Sequence, residues 1–211
     1  MRPLLFVGAG GLARETLAAA RLSGREVIGF VDDNPALHGQ TVDGLPVLGS
    51  PNVIGDHPDA EIVLCIATSR NLACRKFMSE RLGLPRERYA TIIHPAASLA
   101  PGVTAGVGTI VLAFVAVTAP QHIGDHVVIM PHVTFTHDDS VGSYSTFAAR
   151  VALAGGVTVG ECAYLGSGAL VREGVSIGEG ALVGMGAVVL KDVPPKEVWA
   201  GVPARKLTRS L

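Results

Sequence analysis

Large aromatic rings are scarce in this sequence: Phe, Trp and Tyr make up 5% of 211 residues, although hydrophobic residues reach 48%. A conventional core in a chain of this length carries more of them. Cysteine is rare too. Cys65, Cys74 and Cys162 form no CxxC pair and are odd in number, which argues for buried thiols in a reducing compartment over a disulfide framework or a metal site. Charge of either sign is balanced, 17 Lys and Arg against 18 Asp and Glu for a net −1. No global field therefore draws the protein to nucleic acid or an anionic membrane, and an anionic ligand must be held by local groups. Long apolar runs are missing as well. The start, Met1 to Gly8, is apolar only briefly before glycines interrupt it, too short for a signal peptide's apolar region or a membrane span. The expectation is a cytoplasmic protein that touches neither nucleic acid nor membrane.

Small and branched residues fill the gap, with 26 glycines, and they are arranged in two periods. Over residues 1–90, strand and helix signals alternate. Leu4 to Val7 is a short apolar run ending in Gly8-Ala9-Gly10-Gly11, and Leu12 to Leu22 follows with helix formers. Val27 to Val31 reads as a second strand closed by Asp32-Asp33-Asn34-Pro35, Ile62 to Ala67 as a third, and Asn71 to Leu82 as a second helix. Such alternation predicts a Rossmann-like α/β unit with a parallel sheet and right-handed crossovers.

From Ile93 the period becomes six. Stepping by six from Ile93 to Val189 meets seventeen apolar residues in succession, of which only Ala105 is small. At 48% hydrophobic composition, chance would produce this in a fixed register roughly once in several hundred thousand trials. Six is neither the helical 3.6 nor the strand period of two. It is the signature of a solenoid in which each six residues make a short strand and a turn, and three such units complete a triangular coil. Residues 91–190 are thus expected to form a left-handed parallel β-helix of five to six coils, roughly 25 Å tall at about 4.8 Å per coil. The position two residues before each apolar one is mostly Ala, Val, Thr or Ser, as a tight corner requires. Prism ends and flat faces need covering; the N-terminal unit covers one end and the tail, 191–211, is expected to cover the other.

Three constellations bear on chemistry. Gly8-x-Gly10-x-x-Ala13 lies between a strand and a helix, the context in which glycines bring backbone to a phosphate at a helix N-terminus. Asp32 and Asp33 end the next strand, where a carboxylate meets ribose or base donors. A tight turn without ligand, or a redox dinucleotide, are the competing readings. Ninety residues leave room for one mononucleotide-binding half, which suits a nucleotide-sugar. The second constellation is Phe135-Thr136-His137-Asp138-Asp139. Acyl transfer to an amine or hydroxyl needs a base, and an imidazole of unperturbed pKa about 6.5 is poised for it; Asp138 is placed to orient the ring, with Asp139 as substitute. The third is histidine spacing: His94, His132 and His137 echo zinc-binding β-helix enzymes of the carbonic anhydrase type, an alternative that leaves the N-terminal unit unexplained.

The hexads and the ending Trp199-Ala200-Gly201-Val202-Pro203-Ala204-Arg205 resemble the hexapeptide-repeat acyltransferases. Gly8-Ala9-Gly10-Gly11-Leu12-Ala13-Arg14-Glu15, Gly29-Phe30-Val31-Asp32-Asp33 and Gly44-Leu45-Pro46-Val47-Leu48-Gly49 narrow the resemblance to the sialic acid O-acetyltransferase and bacterial nucleotide-amino-sugar N-acetyltransferase family. The resemblance spans nearly the whole chain. It implies a homotrimer with sites between subunits that moves acetyl from acetyl-CoA, without a metal, to a sugar, most often a nucleotide-linked 4-amino sugar. It also implies a sugar-nucleotide site at Gly10, Gly11, Leu12, Asp32, Asp33 and Ser69, and His137 as general base beside Asp138, where family members often carry Glu. CoA contacts carried over by position are Thr146 (a histidine in many sugar N-acetyltransferases), Gly155, Ser167 and Met185. An amide near Gly155-Gly156 is expected to face the thioester oxyanion, with Arg205 and Lys206 near the CoA phosphates. The acceptor is an amino or hydroxyl group of the sugar, and a non-catalytic nucleotide-sugar-binding module is a further alternative.

Overall fold

The structure, a computed structural model, describes residues 1–208. Strand β1 (Leu4–Val7) leads through the glycine turn into α1 (Gly11–Leu22), and β2 (Val27–Val31) follows. A short hairpin, β3 (Thr41–Val42) and β4 (Leu45–Pro46), closes around Asp43 and Gly44, both at positive φ. Positive φ at both central residues is the two-residue turn that suits strand twist. After β5 (Glu61–Leu64) comes α2 (Cys74–Leu82), stopped by Gly83 at φ 56°.

The three long strands form a parallel sheet in the order β2-β1-β5. Alternation sorts its side chains. Leu4 and Phe6 pack with α1 and with Ile92, Ile110, Leu112 and Val128 of the solenoid, while Leu5 and Val7 pack with Ile62, Leu64 and the α2 side. The third strand ends three residues earlier than predicted, because β1 turns away at Gly8 and leaves Cys65 N–H its last partner, Val7 O (2.8 Å). The second helix starts three residues later than predicted, with Asn71 to Ala73 spent on a turn.

Beyond Thr91 the chain is a left-handed β-solenoid. All seventeen hexad residues occupy the second place of a two-residue strand, from Ile92–Ile93 to Val188–Val189. Up to the last coil, where Leu182 pairs with Val198, each strand pairs in parallel with the one eighteen residues on, which generates three faces. We call the face holding Ile110–Val111 the first, that holding Ala116–Val117 the second and that holding His122–Ile123 the third. Hexad and corner residues both point inward. Val111, Val115, Val117, Val127, Ile129 and Val133 are all at 1% exposure or less and form one continuous core. At fourteen of the seventeen hexads the residue three places on turns through the left-handed region, either as glycine or as Phe114, His126, His132, Asp138, Tyr144, Arg150 or Cys162; Ala96, Pro120 and Asp192 are the exceptions.

The N-terminal unit covers the first face and its edge with the third instead of the prism end expected for it, where Ile93 stays 39% exposed. One side chain fastens it there. Arg75 of α2, 1% exposed, donates to Ile66 O (2.9 Å), His126 O (2.9 Å), Tyr144 O (2.6 Å), Ser145 O (3.0 Å) and Thr146 Oγ1 (2.7 Å). Its charge is thus solvated by oxygen dipoles instead of a carboxylate. At the far end, Val198–Ala200 adds a strand to the first face beside Leu182–Val183, and Arg205–Lys206 folds back antiparallel on it. Trp199 and Ala204 there pack against the solenoid core. Among the described residues, no helix is long and apolar enough to cross a membrane.

Candidate active site

Two separate constellations emerge. The first is a cavity of about 540 Å³ at the carboxyl ends of β1, β2 and β5, where an open α/β sheet binds ligands. Gly10, Gly11, Leu12, Asp32 and Asp33 line it, as does Thr68; Ser69, the neighbour expected there, is exposed and does not. The glycines differ in their reasons. Gly8 is demanded by the fold: its φ is 98°, and a Cβ would lie 2.8 Å from both Cys65 O and the Ile66 side chain. Gly10 and Gly11 have no positive φ and nothing within 4 Å of a built Cβ, so their bareness keeps the cavity open. Gly10 caps α1 without a side chain, and the first helical bond runs from Arg14 N–H to Gly10 O. The preceding amides present the positive end of the helix dipole there.

Asp32 does not simply await a ligand. Its Oδ2 accepts from Ala9 N–H (2.9 Å) and its Oδ1 from Asn34 N–H (2.8 Å), fixing the glycine turn against the end of β2. Asp33 is held in a two-pronged ion pair by Arg81 (2.7 Å each), which keeps its carboxyl below the usual range. Sequence reasoning missed the opposite wall. Cys74, Phe77, Met78 and Arg81 all line the cavity, and their i, i+3, i+4, i+7 spacing was the available signal.

The second constellation stands on the edge between the second and third faces. His137 is exposed, and its Nδ1 lies 2.8 Å from Asp138 Oδ2, so the shorter aspartate does reach the ring. A proton shared with the carboxylate at Nδ1 leaves Nε2 as the ring nitrogen turned away from Asp138. Directly beside the ring is Gly155 of the next coil: a Cβ there would lie 2.4 Å from Cε1 and 2.5 Å from Nε2. Gly155 therefore makes room for the histidine. The Gly156 N–H donates to His137 O (2.9 Å), which leaves Gly155 N–H as the amide of this pair free to face an oxyanion. Asp139, the substitute orienter, is buried and takes Thr136 N–H and Val157 N–H on its two oxygens (2.9 Å each); burial pushes its carboxyl above the usual range.

The expected CoA residues do not gather. Ser167 and Met185 are exposed and stacked one coil apart on the edge between the first and second faces, with Gly186 N–H donating to Ser167 O (2.8 Å). Gly155 lies across the second face from them. Thr146 is a correction: it is 6% exposed beneath α2, where its hydroxyl accepts from Arg75 and its N–H donates to Ala163 O (2.8 Å). Burial under the N-terminal unit removes it from any groove. Lys206 is paired with Glu197, and Arg205 donates to Ala204 O. His132 stacks on Phe114 on the first–second edge, away from His137, and His94 Nδ1 accepts from Ala96 N–H.

No residue of the solenoid lines the cavity. The cavity belongs to the unit on the first face, whereas His137 is on the opposite edge of the prism.

Comparison with known proteins gives a consistent picture. Residues 3–82 match the family described as the PglD N-terminal domain. No curated protein matches the chain by sequence. Among solved structures, PerB from Caulobacter crescentus in complex with CoA and GDP-perosamine is 33% identical over 97% of each chain, with a TM-score of 0.87. A histidine-to-alanine mutant of GDP-perosamine N-acetyl transferase from the same organism, with the same ligands, is 30% identical over 98% of this chain and 97% of that one (TM-score 0.83). The acetyltransferase domain of PglB from Neisseria gonorrhoeae FA1090 in complex with acetyl coenzyme A is 26% identical over 98% and 99% (TM-score 0.85).

Proposed function

The chain belongs to the hexapeptide-repeat sugar N-acetyltransferases, and on that premise we propose that it acetylates the amino group of a nucleotide-linked amino sugar, with His137 as general base. It is an acetyl-CoA-dependent acyltransferase. The observation that carries the finer reading is the His137–Asp138 pair seated over Gly155 on an exposed edge. In the reaction, the amine attacks the thioester carbonyl as His137 Nε2 takes its proton. The Gly155 N–H faces the oxyanion, and collapse breaks the C–S bond while the imidazolium returns the proton to the CoA thiolate. Asp138 holds the tautomer and balances the imidazolium.

The N-terminal cavity takes the nucleotide diphosphate at Gly10, Gly11 and the start of α1, with the Asp33–Arg81 pair at its wall. That PerB binds CoA and GDP-perosamine supports a nucleotide-sugar there. CoA lies along the second face, between the Ser167–Met185 edge and Gly155. Because cavity and base sit on opposite sides of one prism, a second copy completes the site, which favours the homotrimer with active sites between subunits.

The test is thiol release from acetyl-CoA against UDP-, GDP- and TDP-linked amino sugars and free sialic acid, with product masses recorded. A gain of one acetyl on one amino sugar is expected. His137→Ala should lower turnover about 100-fold or more while CoA binding persists; unchanged turnover would remove His137 from the mechanism. Nucleotide-sugar binding without turnover by the wild type would make the protein a binding module.

A further inference from the structure

Two residues break the solenoid's interior pattern. Of the seventeen corner positions, fifteen hold Ala, Val, Thr or Ser; the exceptions are Gln121 and Asp139, eighteen residues apart and so stacked on adjacent coils. They meet beneath His137. Asp139 N–H donates to Gln121 Oε1 (3.0 Å), and the Asp139 carboxylate accepts from Thr136 and Val157.

These bonds replace the regular ladder. Elsewhere on this face the residue after the hexad position donates to the next coil, as Thr118 N–H does to Phe135 O (3.1 Å) and Ala154 N–H to Val171 O (3.0 Å). Thr136 N–H goes to Asp139 instead. The corner amide normally closes its own turn, as Val151 does on Ala148 O (3.3 Å), but Val157 N–H also goes to Asp139. The left-handed residue normally donates to the preceding coil, as His132 does to Ala113 O (3.2 Å) and Tyr144 to Asp125 O (2.8 Å); among the described residues Asp138 makes no such bond. Pairing thins accordingly. Thr134 keeps Ala152 but Phe135 has no partner in Leu153, and Ile123 keeps Val141 without His122 meeting Ser140. Val127 N–H also goes to a corner side chain, Thr109 Oγ1 (3.1 Å), but among the described residues the loss of both the outward ladder bond and the left-handed residue's bond falls on the turn bearing His137 and Asp138.

We propose that Asp139 is a positioning residue for the base: its buried carboxylate lifts the 136–138 turn off the repeat and holds His137 in its reactive place over Gly155. This rests on His137 being the base. The physical ground is that two charge-assisted bonds to backbone amides fix a turn far more narrowly than solvent contact does, and a misplacement near 1 Å can cost on the order of 100-fold in turnover.

The test is Asp139→Val, which installs the solenoid's commonest corner residue and lets Thr136 and Val157 return to the regular bonds. We expect kcat to fall about 10- to 100-fold, both KM values to stay within about threefold, and CoA to bind at wild-type stoichiometry by calorimetry. Asp139→Asn, which keeps one acceptor, should fall between. A kcat within about twofold of wild type overturns the proposal. So does a loss carried in either KM, which marks a role in substrate binding, or one matched by an equal loss of CoA-binding sites, which marks a role in folding alone. Activity in His137→Ala would instead overturn the base assignment beneath it, with Asp139→Val then read separately.

Discussion

At the scale of single residues, glycine carries three distinct meanings here. Gly8 is required by its backbone angle and by contact, Gly10 and Gly11 by the space in front of them, and Gly155 by the histidine ring laid against it. The last is testable without disturbing the fold, because Gly155 has no positive φ. Gly155→Ala should leave the melting temperature near wild type yet push the imidazole aside, lowering kcat by about tenfold or more. Steady-state kinetics with a thermal melt decide it; unaltered kcat would mean the ring tolerates displacement.

Among elements, the α2 interface with the solenoid holds the most sensitive group. His126 is buried between Tyr89 and Tyr144, with ring centroids 4.7 and 5.1 Å away, and its Nδ1 has no partner. Burial lowers its pKa to about 4. The folded state thus binds its proton less readily than the unfolded chain, so this contribution to stability is complete above about pH 6.5 and is lost as pH falls toward 4, approaching about 3 kcal/mol. Melting temperature should drop through that window, and His126→Phe, which keeps the stack, should flatten the drop; an unchanged slope would exonerate His126. Element legibility follows the same logic of local against distant causes. The hexads were readable because every inward residue repeats at one spacing, and all seventeen strands fell where the period put them. The glycine turn and His137 were readable from motif and context. Arg75 and the burial of Thr146 were not, since both depend on two units separated by some seventy residues meeting at one edge. Nor was the role of Asp139, whose meaning lies in bonds the neighbouring coils make and it does not.

For the whole molecule, the separation of cavity and base has a direct consequence. Assemblies mixed from His137→Ala chains and Gly10→Val chains, each inactive alone, should regain activity, because some interfaces pair an intact cavity with an intact base. Random assortment in equal amounts gives about a quarter of wild-type sites. Coexpression with differently tagged chains and an activity assay measures it. No recovery would place both halves of the site within one chain.

The uniform eighteen-residue spacing between paired strands also sets what lengths of chain this architecture can gain or lose. Removing eighteen residues deletes one storey and returns every later side chain to its own face. Removing six keeps the core pattern intact but rotates everything beyond by a third of a turn, carrying any side chain downstream onto the next edge. Insertions and deletions in the solenoid are therefore filtered twice: by sixes for folding, and by eighteens for keeping the His137 edge on the side of the prism away from the N-terminal unit.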